Sequence, residues 1–132
     1  MSISFDLTDR LFPVLNVVSV TTTLDGRIYP DKRPLNSVKR DVVIKTLGLR
    51  DGDELDVQPG TVFINCHARN LDGGVPDANN LNATGDAVVS VMAAYAQGST
   101  YMHIEKINDV IFEDQDRTDE SYLSIRYNVI IE

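Results

Sequence analysis

The chain has 132 residues, of which 42% are hydrophobic and 24% are charged, and its formal net charge is −8. This length predicts a single domain over residues 1–132, with a core large enough to fold without a metal or a disulfide. The acidic balance argues against sequence-specific nucleic-acid binding, because that function needs clustered Lys and Arg side chains to neutralise phosphates.

The N-terminal segment predicts a helix followed by extended structure. Residues 5–12 place their apolar side chains on one helical face and predict a short helix ending near Pro13. Residues 14–24 are rich in Val and Thr, which favours an extended conformation. Continuation of the helix to Val18 is the alternative.

Turn residues then divide the chain up to residue 60. Asp25 and Gly26 indicate a turn. Residues 31–40 are polar and contain a proline, so they predict a loop. Residues 41–47 are apolar on both faces and predict a strand. Residues 48–60 predict a loop or a hairpin connection.

The middle of the chain carries its clearest strand and its clearest helix. Residues 61–69 alternate with a period of two, as a half-buried strand does. The face predicted to be buried carries Val62, Ile64, Cys66 and Ala68. After a loop at 70–76, Asp77 is expected to cap a long helix that ends at Gly98 in a left-handed conformation.

The last third of the chain is rich in strands. Residues 101–108 and 109–112 alternate, residues 113–120 form a charged loop, and residues 122–131 alternate again as a strand in the body of the sheet. The order of elements predicts an α+β fold. We expect an antiparallel or mixed sheet of about four to six strands, with one long helix and one short N-terminal helix packed on it.

Few residues have the spacing of a chemical site. Cys66 and His67 are neighbours on a predicted strand, so they point to opposite faces, and Cys66 is expected in the core. His67 and His103 do not have the spacing of a metal-ligand motif. Phosphate-binding loops and hydrolase motifs are also missing from the sequence. We therefore predict no cofactor, no metal and no enzymatic activity, with a small hydrolase using loop carboxylates as the least favoured alternative.

Targeting signals are not visible in the sequence. The N-terminus lacks a basic segment followed by an apolar one, and no apolar run approaches the roughly 20 residues of a membrane span. The single cysteine excludes an internal disulfide. We expect a protein made in the cytoplasm, without a signal peptide or a membrane partner.

Four segments support a family resemblance. They are Gly26-Arg27-Ile28-Tyr29-Pro30 after the first helix, a proline-containing loop before residues 42–44, a strand at 62–67 that runs through a loop into the long helix, and a closing strand pair at 107–112 and 121–131. In this order the chain resembles bacteriophage tail completion proteins, also called tail terminator or head–tail joining proteins. The first segment is similar to the GRVYP sequence of that family.

The resemblance implies a virion component that is assembled in the bacterial host cytoplasm, from a phage or a prophage. It implies a homo-oligomeric ring of about six subunits at the head-proximal end of the tail tube. Such a ring would join the tail tube to the head connector, and DNA would pass through its lumen. The family contributes no catalytic residues. The alternative is a small cytoplasmic adaptor domain of the same fold class that binds another protein.

Two charged loops are the predicted contact or lumen-lining segments. Both are long and lie outside regular structure, where binding residues concentrate. Ordinary solvated loops are the alternative. The candidate residues are Asp31, Lys32, Arg33, Lys39 and Arg40 in the first loop, and Glu113, Asp114, Asp116, Arg117, Asp119 and Glu120 in the second.

Overall fold

Helices pack on one face of a five-stranded sheet. The computed structural model describes residues 3–30, 32–34, 37–47, 58–98, 102–114 and 119–131. In chain order, its elements are α1 (Ile3–Leu15), α2 (Val18–Thr21), β1 (Ile28–Pro30), β2 (Val42–Leu47), β3 (Gln58–Arg69), α3 (Ala78–Gly98), β4 (Met102–Glu113) and β5 (Glu120–Ile131).

The strand order across the sheet is β1-β2-β3-β5-β4. β1 runs parallel to β2, whereas the other three pairings are antiparallel. The predicted α+β class and mixed sheet are therefore confirmed. β5 lies between β3 and β4, so the last strand belongs to the body of the sheet as expected, and β4 becomes an edge.

Alternation along β3 and β5 decides which face of the sheet the helices cover. The buried hydrophobic residues of these two strands are Val62, Ile64, Cys66, Ala68, Leu123, Ile125, Tyr127 and Val129. We call this the helix face, and the opposite one, which carries Phe63 and His67, the open face. Burial raises the pKa of the Cys66 thiol to about 12, which suits the predicted core residue and not a nucleophile.

The N-terminus of α3 is capped as its sequence predicts. Asp77 Oδ1 accepts a hydrogen bond from the backbone N–H of Asn80 at 3.3 Å. Leu81, Val88 and Met92 then point into the core. Gly98 is the last helical residue, but its φ is not positive, so the expected left-handed cap is wrong.

Three further predictions of secondary structure are wrong in whole or in part. Residues 14–24 are not extended, because α1 continues through Pro13 to Leu15 and α2 follows. Leu15 and Val20 are completely buried, so tertiary packing outweighs the β-propensity of this segment. The two strands expected at 101–108 and 109–112 are one strand, β4, with a bulge after Lys106. The predicted connection at 48–60 lies outside the described residues as far as residue 57, and residues 58–60 are not a loop but the start of β3.

Candidate functional site

The two predicted charged loops meet, and Arg33 joins them. Its guanidinium contacts Glu120, the first residue of β5, and lies 3.4 Å from Asp41 Oδ2 and 4.0 Å from Asp114 Oδ2. Only 8% of the Arg33 side chain is exposed. We refer to Arg33, Asp41, His67, Asp114 and Glu120 as the ion-pair cluster.

Asp41 anchors the first loop immediately before β2. Its side chain is completely buried. Oδ1 accepts a hydrogen bond from the backbone N–H of Arg27 at 2.8 Å, and Oδ2 accepts one from the hydroxyl of Ser37. Gly26 lies so close to this carboxylate that a Cβ at this position would overlap Oδ1. The glycine of the predicted turn is therefore required by close approach to Asp41.

Glu120 is held by side chains from two other segments. Its Oε1 lies 3.1 Å from His67 Nδ1, and Arg33 contacts the same oxygen. Burial alone would raise the pKa of Glu120. The hydrogen bond with His67 and the charge and hydrogen bond of Arg33 outweigh burial and lower the pKa below its ordinary value. The carboxylate is therefore ionised at neutral pH.

Glu120→Gln is expected to make the stability of the protein less dependent on acid pH. Because the folded-state pKa is lowered, the stabilisation is complete above the unfolded pKa of about 4.3. It is lost as the pH falls through the lower folded value. Urea unfolding should show that the difference in free energy of unfolding between wild type and variant is smaller at about pH 2 than at about pH 7.

Glu113→Gln is the control for this titration, since Glu113 is exposed at the end of β4. The free energy of unfolding of Glu113→Gln should differ little from that of wild type at both pH values. If Glu120→Gln lowered the free energy of unfolding by the same amount at both pH values, Glu120 would not stabilise the fold through its charge.

His67 connects the ion-pair cluster to the open face of the sheet. Its backbone N–H donates to the carbonyl oxygen of Asp41 at 2.8 Å. Its ring centroid lies 5.2 Å from that of Tyr122, which in turn lies 5.5 Å from that of Phe112 on β4. An aromatic row thus leads from the cluster to the edge of the sheet.

The cluster contains a set of groups that are suitable as metal ligands. One ligand atom each from His67, Asp114 and Glu120 lies within 4.8 Å of the others. However, the Arg33 guanidinium already contacts both carboxylates. A divalent cation would sit beside this positive charge and be repelled by it. The arrangement suits a structural ion pair, so we assign no metal here.

The structure divides the predicted loop residues into buried and exposed groups. Arg33 and Glu120 are largely enclosed within the cluster, with Asp114 beside them. Arg40 lies 3.9 Å from Asp25, and its Nε donates to the carbonyl of Thr23 at 3.2 Å. The exposed residues are Lys32, Lys39, Glu113 and Asp119. Asp31, Asp116 and Arg117 lie outside the described residues.

Two members of the cluster were not among the predicted loop residues. Asp41 follows the first loop directly, and the only signal for it is its position between a polar loop and an apolar strand. His67 lies on the face of β3 opposite Cys66, which the alternation does predict. Its partner Glu120 is 53 residues away in the chain, so no local pattern could identify the pair.

Comparison of the chain with protein-family models and with curated proteins finds no match in either. In the described part of the chain, no helix is both long and apolar enough to cross a membrane.

Proposed function

We propose that the protein is a tail completion subunit of a phage or a prophage-derived tail. In this role it forms a homo-oligomeric ring at the head-proximal end of the tail tube and joins the tube to the head connector. The observation that supports an assembly role most strongly is the β4 edge, which is the side of the strand Met102–Glu113 that has no strand beside it in the described part of the chain.

The β4 edge is long and carries apolar side chains. Soluble monomers commonly keep their edge strands short, because an exposed edge pairs with other chains. β4 spans 12 residues. Four of its large apolar side chains are more than a third exposed: Ile107, Val110, Ile111 and Phe112. Such an edge is typical of a sheet that another polypeptide completes.

The ion-pair cluster supports a second contact surface. Arg33 contacts Asp41, Asp114 and Glu120 and thereby links the two segments that carry these loops. The exposed charges are Lys32 and Lys39 from one loop, and Glu113 and Asp119 from the other. A surface of mixed charge suits a specific contact with a tail tube or connector protein. The net charge of −8 is compatible with DNA passing through a lumen without binding.

Ring formation can be tested by light scattering after size exclusion, followed by negative-stain images of the protein alone and mixed with tail tubes. We expect rings with a central hole at the tube ends. Val110→Glu should abolish the rings, because it places a charge on the β4 edge. Leu71→Glu is the matched control, since Leu71 is 53% exposed in a loop, and it should leave them intact.

A protein that stays monomeric at high concentration and does not bind tail tubes would contradict the tail role. The alternative is a cytoplasmic adaptor that binds another protein, and the same edge favours it, because β4 could accept an extended peptide as a further strand. A neighbouring gene for a portal, tail tube or tape-measure protein would favour the tail role over the adaptor.

A further inference from the structure

The bulge in β4 determines which of its side chains share a face. Ile107 has no partner on β5, because the pairing shifts between Lys106 and Asn108. Lys106 lies opposite Tyr127, and Asp109 lies opposite Ile125. Both partners belong to the helix face. Lys106 and Asp109 therefore lie on the same face, although an unbroken strand would put residues three apart on opposite faces.

The same register places two apolar residues of β4 on the helix face. Ile104 lies opposite Val129, and Ile111 lies opposite Leu123. Ile104 also lines a groove of about 270 Å³ between α3 and β4, together with Lys106 and Tyr127. Ile104, Lys106, Asp109 and Ile111 therefore read apolar, basic, acidic, apolar along the helix face, and this central pattern is complementary to its own reverse.

An antiparallel pairing of β4 with β4 of a second copy uses that complementarity. In full overlap, Met102 of one copy lies opposite Glu113 of the other. Lys106 then lies opposite Asp109 twice, by symmetry, and Ile104 lies opposite Ile111. On both sides of the bulge, each helix-face residue of one strand therefore lies opposite a helix-face residue of the other strand. Opposite charges and apolar pairs directly across two strands stabilise a sheet, whereas like charges destabilise it.

Neighbouring registers lose this match. Sliding the second copy by two residues in one direction puts Ile104 opposite Asp109, so both Lys106–Asp109 pairs are lost. Sliding it by two in the other direction puts Asn108, on the open face, opposite Asp109, on the helix face. On the open face, the full-overlap register places Glu105 opposite Val110, so it brings no like charges directly together. The length, the faces and the charges thus select one register.

We propose that the free protein forms a two-fold dimer in which β4 pairs with β4 of a second copy in full overlap. The two sheets join into one, with the helices of both copies on the same side. Ile111 of the second copy lies beside Ile104, at the border of the groove, and the exposed apolar side chains of β4 are covered. The dimer does not depend on the tail role, and in a ring-forming protein it would keep β4 covered until assembly.

Two opposite charge variants test the pairing between chains. Lys106→Asp makes both positions acidic, and Asp109→Lys makes both basic. Each variant alone should dimerise about 10- to 100-fold more weakly than wild type, because two attractive contacts become repulsive. An equal mixture should recover the dimer as a heterodimer, measured by sedimentation velocity with one variant fluorescently labelled.

The mixture separates contacts between chains from contacts within one. Within one chain, Lys106 Nζ lies 2.5 Å from Asp109 Oδ2. Each variant loses this internal ion pair, both alone and in the mixture. Recovery on mixing must therefore come from the second copy. Asp9→Lys, at an exposed position on α1, changes the net charge as Asp109→Lys does and should leave the dimer unchanged. Circular dichroism of each variant establishes that it is folded.

Three results would overturn the dimer. They are a wild-type monomer at about millimolar concentration, single variants that dimerise as tightly as wild type, and a mixture that stays monomeric although both variants are folded. Each of these results would leave the proposed function standing, because ring formation on tail tubes is measured separately.

Discussion

Gly26→Ala is expected to destabilise the fold by about 3 kcal/mol or more. The new methyl group would overlap Asp41 Oδ1 and lie 2.7 Å from the carbonyl oxygen of Arg40. Asp41 is completely buried and accepts a hydrogen bond from the backbone N–H of Arg27. The carboxylate therefore cannot move aside without losing this hydrogen bond. Relief of the overlap would separate the turn before β1 from the start of β2 and open the ion-pair cluster.

Urea unfolding monitored by circular dichroism would measure this effect. Gly98→Ala is the control, because a Cβ at Gly98 meets nothing within 4 Å. As the last residue of α3, Gly98→Ala should be neutral or stabilising by up to about 1 kcal/mol. If both variants had the same stability as wild type, the close approach between Gly26 and Asp41 would not exist in solution.

Arg33→Met is expected to destabilise the protein by about 3–5 kcal/mol, because it removes the cation that faces the buried carboxylates of Asp41 and Glu120. The apolar stem of methionine keeps part of the packing, so the loss reports mainly the charge. Arg33→Lys should recover part of the stability, since it restores the charge but not the planar donor geometry.

Lys32→Met is the matched control for Arg33→Met. Lys32 is the exposed neighbour of Arg33, and its loss should change stability by no more than about 0.5 kcal/mol. The loss of unfolding free energy in Arg33→Met, relative to wild type, should be smaller in acid, because protonation of Glu120 removes a charge that Arg33 neutralises. Equal stabilities of the Arg33→Met and Lys32→Met variants would mean that the cluster does not stabilise the fold.

Local patterns predicted the elements whose burial is regular. The alternation at 61–69 and at 122–131 predicted both strands, and at 61–69 it also predicted the buried face. The apolar spacing of α3 and the cap at Asp77 are equally local signals, because each depends on residues within a turn or two of the chain. Local patterns did not predict the N-terminal segment correctly. Val20 lies in a helix, and the burial of this side chain in the core, not the local propensity, explains that helix.

The ion-pair cluster could not be predicted in the same way. The sequence marked both loops as charged, but it gave no reason to join Arg33 to Glu120, which is 87 residues away. That contact arises because β5 inserts between β3 and β4 and begins beside His67. The result is that Arg33 and Glu120, predicted as contact residues, are held inside the fold, and exposed neighbours form the surface.

By itself, the sequence determined the fold class, the long helix, the buried face of β3, the strand β5 and the core position of Cys66. Each of these follows from side-chain periodicity, which is a property of neighbouring residues. Only the tertiary structure decided that the two loops meet at Arg33, that Gly26 lies against Asp41, and that β4 is an edge with Lys106 and Asp109 on one face. These depend on strand order and on a single bulge, and both are set by contacts between residues far apart in the chain.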